Sequence, residues 1–279
     1  MSTTMILELS PTFIMMLKAL PAVFLIAGCT WMISLYLDKI SIIYYSWPIL
    51  FLVASLVYLV DAETFSEVQI ALILMVSIWS VRLNYFAIKR GRHQPEDRRY
   101  QVLRERSSSN FILKSFYLIL FWQPILAWAG SSIFAIVMVN NAPWSLGNSI
   151  GVALWCFGII FETVADNQLY RFNRLVIKKE QTLKTGLWRY CRHPNYFGEC
   201  CVWWAWFLFA IPSGNGFILL APLLITGLLL KVSGIRLMEK GITQRRADYG
   251  HYMQSTNTLF PWVPREQVNG ELYEKGSLG

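Results

Sequence analysis

The chain has 279 residues, of which 55% are hydrophobic and only 15% are charged. Soluble domains carry about a quarter charged residues, so this composition excludes most soluble classes and indicates several membrane-spanning helices. The net charge of +8 does not indicate a nucleic-acid partner, because the basic residues are concentrated in loops between apolar segments. The five cysteines show neither metal-ligand nor disulfide spacing, so no metal site is predicted.

Apolar runs predict an all-α integral membrane protein with about seven transmembrane helices. The first run has no basic start and is too long for a signal-peptide core, so we expect it to be retained as a span. In the fourth run, Pro124 predicts a kink. Residues 1–263 are predicted to form a single membrane domain, and residues 264–279 a loose polar tail. The predicted helices are 12–37, 41–60, 67–88, 111–139, 147–168, 195–211 and 216–237.

The distribution of basic residues predicts the orientation of these helices. The loops 89–110 and 167–194 are rich in lysine and arginine, whereas the loops 61–66, 140–146 and 212–215 contain neither. Seven spans place both basic loops and the C-terminus on one side, which the positive-inside rule assigns to the cytoplasm. The N-terminus is then outside, in either a bacterial inner membrane or the endoplasmic reticulum.

The densest polar sequence begins at Gly186 and reads Gly-Leu-Trp-Arg-Tyr-Cys-Arg-His-Pro-Asn-Tyr-Phe-Gly-Glu, directly before an apolar helix. Pro194 suits the first helical position, where a missing N–H loses no hydrogen bond. The helix N-terminus, Arg192 and His193 together favour an anion, such as a phosphate-bearing cofactor. Asn195 and Glu199 lie one turn apart on one helical face. The alternative is a membrane-interface anchor, since Arg, Trp and Tyr also favour headgroups.

Two other polar groups could serve the same ligand. Glu162 and Asp166 lie one turn apart near the end of the fifth predicted helix, and Arg171 and Arg174 follow. They could bind ribose or adenine groups and phosphates, or form only local ion pairs at a capped helix end. The third helix ends in Arg-Gly-Arg, and these two arginines, Arg90 and Arg92, could reach one anion or belong to a solvated loop.

The sequence from Gly186 to Glu199 resembles the signature of the steroid 5-alpha-reductase-like membrane proteins, which are related to the sterol C14 reductases. The resemblance covers roughly residues 78–262, is densest at 186–204, and leaves residues 1–66 weakly matched to a family-like core at 67–263. It implies an NADPH-dependent reductase of a lipophilic enone or a sterol-like double bond, reached from the bilayer. The cofactor-binding residues it implies are Arg90, Arg92, Glu162, Asp166, Arg171, Arg174, Trp188, Arg192, His193, Asn195, Glu199, Glu239, Arg246 and Tyr249.

The sequence departs from that family at several positions. Glu162 replaces an asparagine, and Asn173 stands where an arginine is expected, so Arg171 or Arg174 must substitute. The family's catalytic tyrosine on the third helix corresponds here to Ile78. We therefore expect either Tyr44 or Tyr85 to supply the phenol, although both could be tyrosines that only pack in the membrane.

Two other functions remain open from the sequence. A looser Arg-His-Pro-x-Tyr-x-Gly motif is similar to that of isoprenylcysteine carboxyl methyltransferases, which implies a lipid-directed methyltransferase that uses S-adenosylmethionine. Asn195, Glu199 and the Arg-Gly-Arg sequence favour the reductase, because an amide suits a nicotinamide carboxamide. The third possibility is a non-catalytic membrane protein that binds lipid or sterol. No Gly-x-Gly-x-x-Gly element is present, so a Rossmann cofactor site is not expected.

Overall fold

The structure is a computed structural model, and it describes residues 10–62, 65–91, 100–101, 105, 110–140, 142–175, 181–214, 216–232, 235–246, 248–268 and 271–274. These residues are helical apart from loops and one short β-hairpin. Five of the described helices are long and apolar enough to cross a membrane, which fits an integral membrane protein.

The long helices are α1 (Pro11–Tyr36), α2 (Ile43–Asp61), α3 (Glu67–Gly91), α4 (Phe111–Asn140) and α5 (Leu146–Leu175). The shorter helices are α6 (Pro194–Ala210), α7 (Leu220–Gly227, continued by a π-helical turn over Leu228–Val232), α8 (Ile235–Thr243) and α9 (Tyr249–Ser255). The hairpin pairs β1 (Arg265–Val268) with β2 (Glu271–Glu274) in antiparallel register. Single 3₁₀ turns cover Ile40–Ile42, Gly186–Arg189, Ile211–Ser213 and Gly216–Leu219.

The helices follow the predicted apolar runs closely, with two differences in length. The sixth run forms a 17-residue helix of the predicted length, whereas the seventh is divided into short 3₁₀, α and π segments. Helix α5 extends to Leu175, seven residues past its predicted end at 168, so Arg171 and Arg174 lie on the helix rather than in a loop. The hairpin occupies part of the segment for which the sequence predicted a loose tail.

Helix α4 is interrupted near the position that Pro124 predicts. Its chain is π-helical over Tyr117–Trp122, α-helical over Gln123–Gly130, and broken again at Ser131. Because proline has no N–H and its ring crowds the preceding turn, the wider π turn relieves both problems.

The chain divides into two compact units, of which the first comprises residues 1–149 and 210–221. In this unit α2 packs between α1 and α3, and α4 packs against α1 and α2. The centre of its core contains three buried aromatic rings from three helices: Phe51 contacts Trp79 and Phe134 edge to face, at centroid distances of 5.7 and 6.5 Å. Edge-to-face pairs of this kind add to the stability gained from burial.

Buried neutral hydrogen bonds connect the helices of the first unit. The Tyr58 hydroxyl lies 2.8 Å from the hydroxyl of Ser131, and the Gln69 side chain donates to the Met138 carbonyl oxygen at 2.8 Å. In the same way Gln123 donates to the carbonyl oxygen of Ile43 at 2.8 Å. Such bonds stabilise helix pairs where apolar burial discriminates weakly between surfaces.

The second unit comprises residues 150–209 and 222–279. Its helices α5 and α6 approach closely because glycines face the contact. A Cβ atom on Gly158 would lie 2.9 Å from the Gly198 carbonyl oxygen, and one on Gly198 would lie 2.6 Å from the Glu162 Cβ. Small residues allow this separation, which brings the polar residues of both helices together.

Candidate functional site

The loop before α6 is anchored to α5 through Gly186. Gly186 has a φ of 62°, in the left-handed region that favours glycine. A Cβ there would lie 2.5–2.7 Å from the side-chain amide of Gln168, whose Oε1 accepts a hydrogen bond from Leu187 N at 3.0 Å. Only glycine fits both the backbone angle and the contact, so this residue fixes where the motif begins.

Trp188 also anchors the loop to α5, through a buried side chain. Its side chain is buried, and its indole N–H donates to the Ala165 carbonyl oxygen on α5 at 3.1 Å. The Tyr252 hydroxyl on α9 donates to the Trp188 carbonyl oxygen. Trp188 thereby connects the loop to two helices, and this arrangement holds the loop rather than presenting the indole at a surface.

Arg192 uses all five of its N–H donors within the protein. Its Nε and Nη2 donate to the two Glu239 carboxylate oxygens at 2.7 and 3.2 Å, and Nη2 also reaches the Thr258 hydroxyl at 2.8 Å. Its Nη1 donates to the carbonyl oxygens of Met253 and Thr256, at 2.9 and 2.6 Å. A guanidinium has five donors in a planar fork, and here each has an acceptor, so Arg192 acts as a buried clamp between the loop, α8 and α9.

Glu239 is the acceptor at the centre of this cluster. Besides Arg192, it lies 3.0 Å from His193 Nε2 and accepts from the Tyr249 hydroxyl at 3.3 Å. Burial alone would raise the pKa of Glu239, but the hydrogen bonds from His193 and Arg192 and the charge of Arg192 outweigh it and hold the pKa at about 2. Since the carboxylate is ionised at neutral pH, His193 must donate its Nε2–H to it.

Residues 256–262, the C-terminal strap, run beside the loop and are bonded to it. Arg192 N donates to Asn257 O at 2.9 Å, His193 N donates to Thr258 O at 3.2 Å, and Trp262 N donates to Tyr190 O at 3.0 Å. The buried Cys191 thiol also donates to the Leu259 carbonyl oxygen at 2.8 Å, and burial raises the pKa of that thiol to about 12. The strap therefore holds the backbone immediately before α6 in one position.

Helix α6 begins at Pro194, as the sequence predicts. The His193 carbonyl oxygen accepts from the N–H groups of Tyr196 and Phe197, both at 3.1 Å, so His193 is the residue that precedes the first helical turn. The His193 ring stacks on Tyr196, with centroids 5.6 Å apart. The bonds of Arg192 and His193 to Glu239 thus determine how the helix start is oriented.

Three carboxylic acids are buried where α5 and α6 cross. Glu162, Asp166 and Glu199 expose only 4%, 2% and 7% of their surfaces. Glu199 accepts a hydrogen bond from the Trp203 indole N–H at 2.9 Å. Buried carboxylates are costly unless they are compensated, and such groups concentrate at binding sites.

Asn195 joins this group of acids through its amide. Its Nδ2 donates to Asp166 Oδ1 at 3.4 Å. Its Oδ1 is buried and accepts no hydrogen bond from any residue that the structure describes. Turning the amide over would place two acceptors against each other, so the Asp166 contact fixes the amide orientation. The result is a buried side-chain carbonyl oxygen that has no donor among the described residues.

The predicted phosphate-binding arginines differ in position. Arg171 and Arg174 are exposed on the last turns of α5, and Arg174 lies over the Tyr170 ring at 5.7 Å. Arg246 is half-buried between α8 and α9, where burial lowers its pKa. Arg90 is exposed at the end of α3 in the first unit, with its Nε donating to Phe86 O at 3.3 Å. Arg92 lies outside the described residues, so convergence of these arginines stays a prediction.

The two candidate tyrosines are both in the first unit. Tyr44 is 39% exposed and its ring lies 6.1 Å from the ring of Tyr100. Tyr85 is 54% exposed, and its hydroxyl accepts from Lys89 Nζ at 3.2 Å. These positions do not test the assignment of a catalytic phenol, which stays a prediction.

The sequence did not identify several residues that shape the site. Gln168 supports Gly186 and Leu187, Thr258 completes the bonding of Arg192, and Tyr252 holds Trp188. Gln168 lies only two residues after Asp166 and does not share its helical face, so the spacing gives no signal for it. Thr258 is 66 residues from Arg192 in sequence, and no local pattern connects residues so far apart.

The five described helices that are long and apolar enough to cross a membrane define an integral membrane protein. The sequence matches the family described as protein of unknown function (DUF1295) over residues 30–256, and the chain belongs to that family. This is the steroid 5-alpha-reductase-like family that the motif resembles, and its description assigns no activity.

Among curated proteins, the chain is similar to the uncharacterized protein C594.04c of Schizosaccharomyces pombe. The two are 23% identical over 265 residues, which cover 85% of this chain and 77% of that protein. No solved structure matches the chain.

Proposed function

We propose that this protein is an NADPH-dependent reductase of a lipophilic enone or sterol-like double bond. The observation that carries the proposal is the buried Asn195 Oδ1, which has no donor among the described residues while its amide nitrogen is bonded to Asp166. A primary carboxamide or an amino group on a planar ring supplies the N–H that this oxygen lacks. A nicotinamide carboxamide has that group, and its carbonyl oxygen adds a second point of recognition.

The other residues of α5 fit the remainder of such a cofactor. Arg171 follows Asp166 by five residues and Arg174 by eight, so they lie roughly 7 and 12 Å further along the helix axis. Both are exposed, which leaves their guanidinium groups accessible to phosphates. The bound cofactor would supply a hydride, and the role of these residues is to bind and orient it.

Asn195 and Asp166 would hold the ring that carries the carboxamide, and Arg171 and Arg174 would hold the phosphates. The clamp of Arg192 and Glu239 then has a supporting role, because it fixes the start of α6 and therefore the position of Asn195. The proton that completes a double-bond reduction is expected from Tyr44 or Tyr85, and the substrate is expected to enter from the bilayer.

A lipid-directed methyltransferase that uses S-adenosylmethionine is the second candidate, and a specific observation favours it. Glu162, Asp166 and Glu199 are all buried in one helix crossing. Buried carboxylates stabilise a nearby positive charge, and the sulfonium of S-adenosylmethionine is positive whereas NADPH is strongly negative. Its adenine amino group could also donate to Asn195.

The proposed topology has seven spans, with the N-terminus outside and the cofactor residues on the cytoplasmic side. The five long helices support it in part, and α6 and α7 would complete the count. Cysteines placed in the loops 89–110 and 167–194 should react with an impermeant reagent from the same side of sealed vesicles. Labelling of the two loops from opposite sides would contradict the seven-span topology.

A titration of purified protein in lipid nanodiscs separates the candidate functions. We expect NADPH to bind and S-adenosylmethionine not to bind. Arg174→Ala should weaken NADPH binding by about 1.5–3 kcal/mol, since hydrogen bonds to a charged partner have that strength. This corresponds to a loss of affinity of roughly ten- to a hundredfold. Lys18→Ala is the matched control, because Lys18 is paired with Asp61 in the first unit and should not affect the cofactor.

Other outcomes of the same titration contradict the reductase. Binding of S-adenosylmethionine alone would select the methyltransferase. Binding of neither cofactor would select a non-catalytic lipid- or sterol-binding protein. If NADPH binds but Arg171→Ala and Arg174→Ala both keep wild-type affinity, the phosphate site lies elsewhere.

A further inference from the structure

Residues 260–264 carry exposed apolar side chains outside every helix that could span a membrane. This segment reads Phe-Pro-Trp-Val-Pro, and Phe260, Trp262 and Val263 expose 70%, 57% and 41% of their surfaces. An aqueous surface rarely presents three such side chains within four residues, and a cluster of this kind usually marks a contact with a membrane or a protein.

The backbone of this segment has few N–H groups left to hydrate. Pro261 and Pro264 have none, and the N–H of Trp262 donates to Tyr190 O at 3.0 Å. Unsatisfied backbone N–H and C=O groups exclude irregular chain from an apolar phase. In residues 260–264, three of the five positions leave no N–H unpaired, which lowers the cost of shallow insertion into a lipid layer.

The segment is held at the start of an apolar helix. Tyr190, to which it is bonded, precedes the first residue of α6 by four positions, and the Phe260 ring lies 6.0 Å from the Phe197 ring in the first turn of α6. If α6 is embedded in the bilayer, as the seven-span topology requires, the segment lies where the helix enters it. That depth is the headgroup layer.

The residues beside the segment match the chemistry of that layer. Tyr190 is 43% exposed, and the guanidinium of Arg189 lies 5.9 Å from its ring centroid. Aromatic rings with one polar edge favour the boundary between headgroups and acyl chains, and an arginine there pairs with lipid phosphate. This combination of apolar rings and a cation suits contact with phospholipids.

We propose that Arg189, Tyr190, Phe260, Trp262 and Val263 form an interfacial surface that inserts into the headgroup layer. The rings of Phe260 and Trp262 lie at the level of the upper acyl chains, and Arg189 binds a lipid phosphate. Through the strap, this surface fixes the backbone of Tyr190 relative to the membrane. It does not depend on which cofactor the protein binds.

Quenching of Trp262 fluorescence by lipids tests this surface. The chain has 12 tryptophans, so the signal of Trp262 is obtained as the difference between wild type and Trp262→Phe in nanodiscs. We expect this difference signal to be strongly reduced by phospholipids brominated near the glycerol. It should be reduced less by phospholipids brominated near the chain ends, and little by acrylamide in the water.

Two outcomes would overturn the proposal. Quenching by acrylamide and not by brominated lipid would place Trp262 in water. Quenching by neither would mean that another protein surface, in this chain or a second molecule, covers it. If Trp262→Phe does not fold, a spin label at Phe260→Cys gives the same answer, because oxygen should relax the label more than an aqueous nickel chelate does.

Discussion

The two units of this chain bury polar groups of different kinds. In the first unit the described buried side-chain bonds between helices include neutral ones, such as Tyr58 to Ser131 and Gln69 to the Met138 carbonyl. The second unit buries an ion pair, Arg192 with Glu239, and three further carboxylates. Neutral bonds stabilise a fold at little cost, whereas buried charge is costly and is retained where it has a specific task.

Arg82 shows that the contrast is one of degree. It is only 8% exposed on α3, and its guanidinium lies 5.0 Å from the Phe86 ring. The face of an aromatic ring attracts such a cation. The second unit differs because one anion, Glu239, collects bonds from Arg192, His193 and Tyr249.

Removal of Arg192 should produce the largest loss of stability. Arg192→Ala leaves the Glu239 carboxylate buried without its main counter-charge, and breaking a buried pair in this way costs about 3–5 kcal/mol. Thermal unfolding of the detergent-solubilised variants measures it. Arg192→Lys retains the charge but not the five bonds, so its loss should be intermediate. If Arg192→Ala lost no more stability than the removal of one neutral hydrogen bond, the proposed difference between the two units would be wrong.

Acid should weaken the same cluster without a mutation. The pKa of Glu239, about 2, lies below its ordinary value, so its contribution to stability is present above the unfolded pKa and is lost as the pH falls towards 2. We expect the stability of wild type to fall more steeply than that of Glu239→Gln between about pH 5 and pH 3. Parallel curves for the two proteins would show that Glu239 titrates normally.

The close approach of α5 and α6 should make Gly198 intolerant of a side chain. In Gly198→Ala the new methyl group would lie 2.6 Å from the Glu162 Cβ and 2.9 Å from its backbone nitrogen, so the helices must separate. Overpacking of this kind costs about 1–3 kcal/mol. Gly28→Ala is the control, because its nearest contact is the Leu120 Cδ1 at 3.7 Å. Equal unfolding temperatures for the two variants would contradict the described contact.

Loss of one neutral bond in the first unit should have the smallest effect. Tyr58→Phe removes the contact with the Ser131 hydroxyl, which still donates to Trp128 O at 2.8 Å. Bonds of this kind between membrane helices average about 0.6 kcal/mol. The same unfolding assay should therefore barely distinguish Tyr58→Phe from wild type, and a loss comparable with Arg192→Ala would refute the proposed difference.

The sequence predicts the helices well because apolar runs and prolines are local signals. Pro194 marks the start of α6, and Pro124 marks the interruption of α4. The seventh run was less predictable, because composition does not determine whether a helix remains α-helical through Leu228–Val232. The hairpin β1–β2 follows no apolar run and was not identified.

The sequence located residues of the candidate site, but it predicted less well what each of them does. The motif located Arg192 and His193, and charge suggested that they bind an anion. The structure instead shows Arg192 bonded to Glu239, Met253, Thr256 and Thr258, which are distant in sequence. Whether an arginine faces a ligand or a buried glutamate depends on the tertiary fold.

The central claim is that Asn195 recognises the carboxamide of NADPH, and Asn195→Asp tests it most directly. The substitution retains the shape, but it replaces the N–H that faces Asp166 with a negatively charged oxygen, so the Asp166 contact no longer holds Oδ1 in place for the carboxamide. NADPH titration and single-turnover oxidation with an enone should show a loss of about 1–3 kcal/mol, the cost of a buried mismatch. Asn140→Asp in the first unit, where the amide donates to Ile136 O, should leave both unchanged. Wild-type NADPH binding and hydride transfer in Asn195→Asp, with S-adenosylmethionine bound by both proteins, would contradict the reductase and favour the methyltransferase.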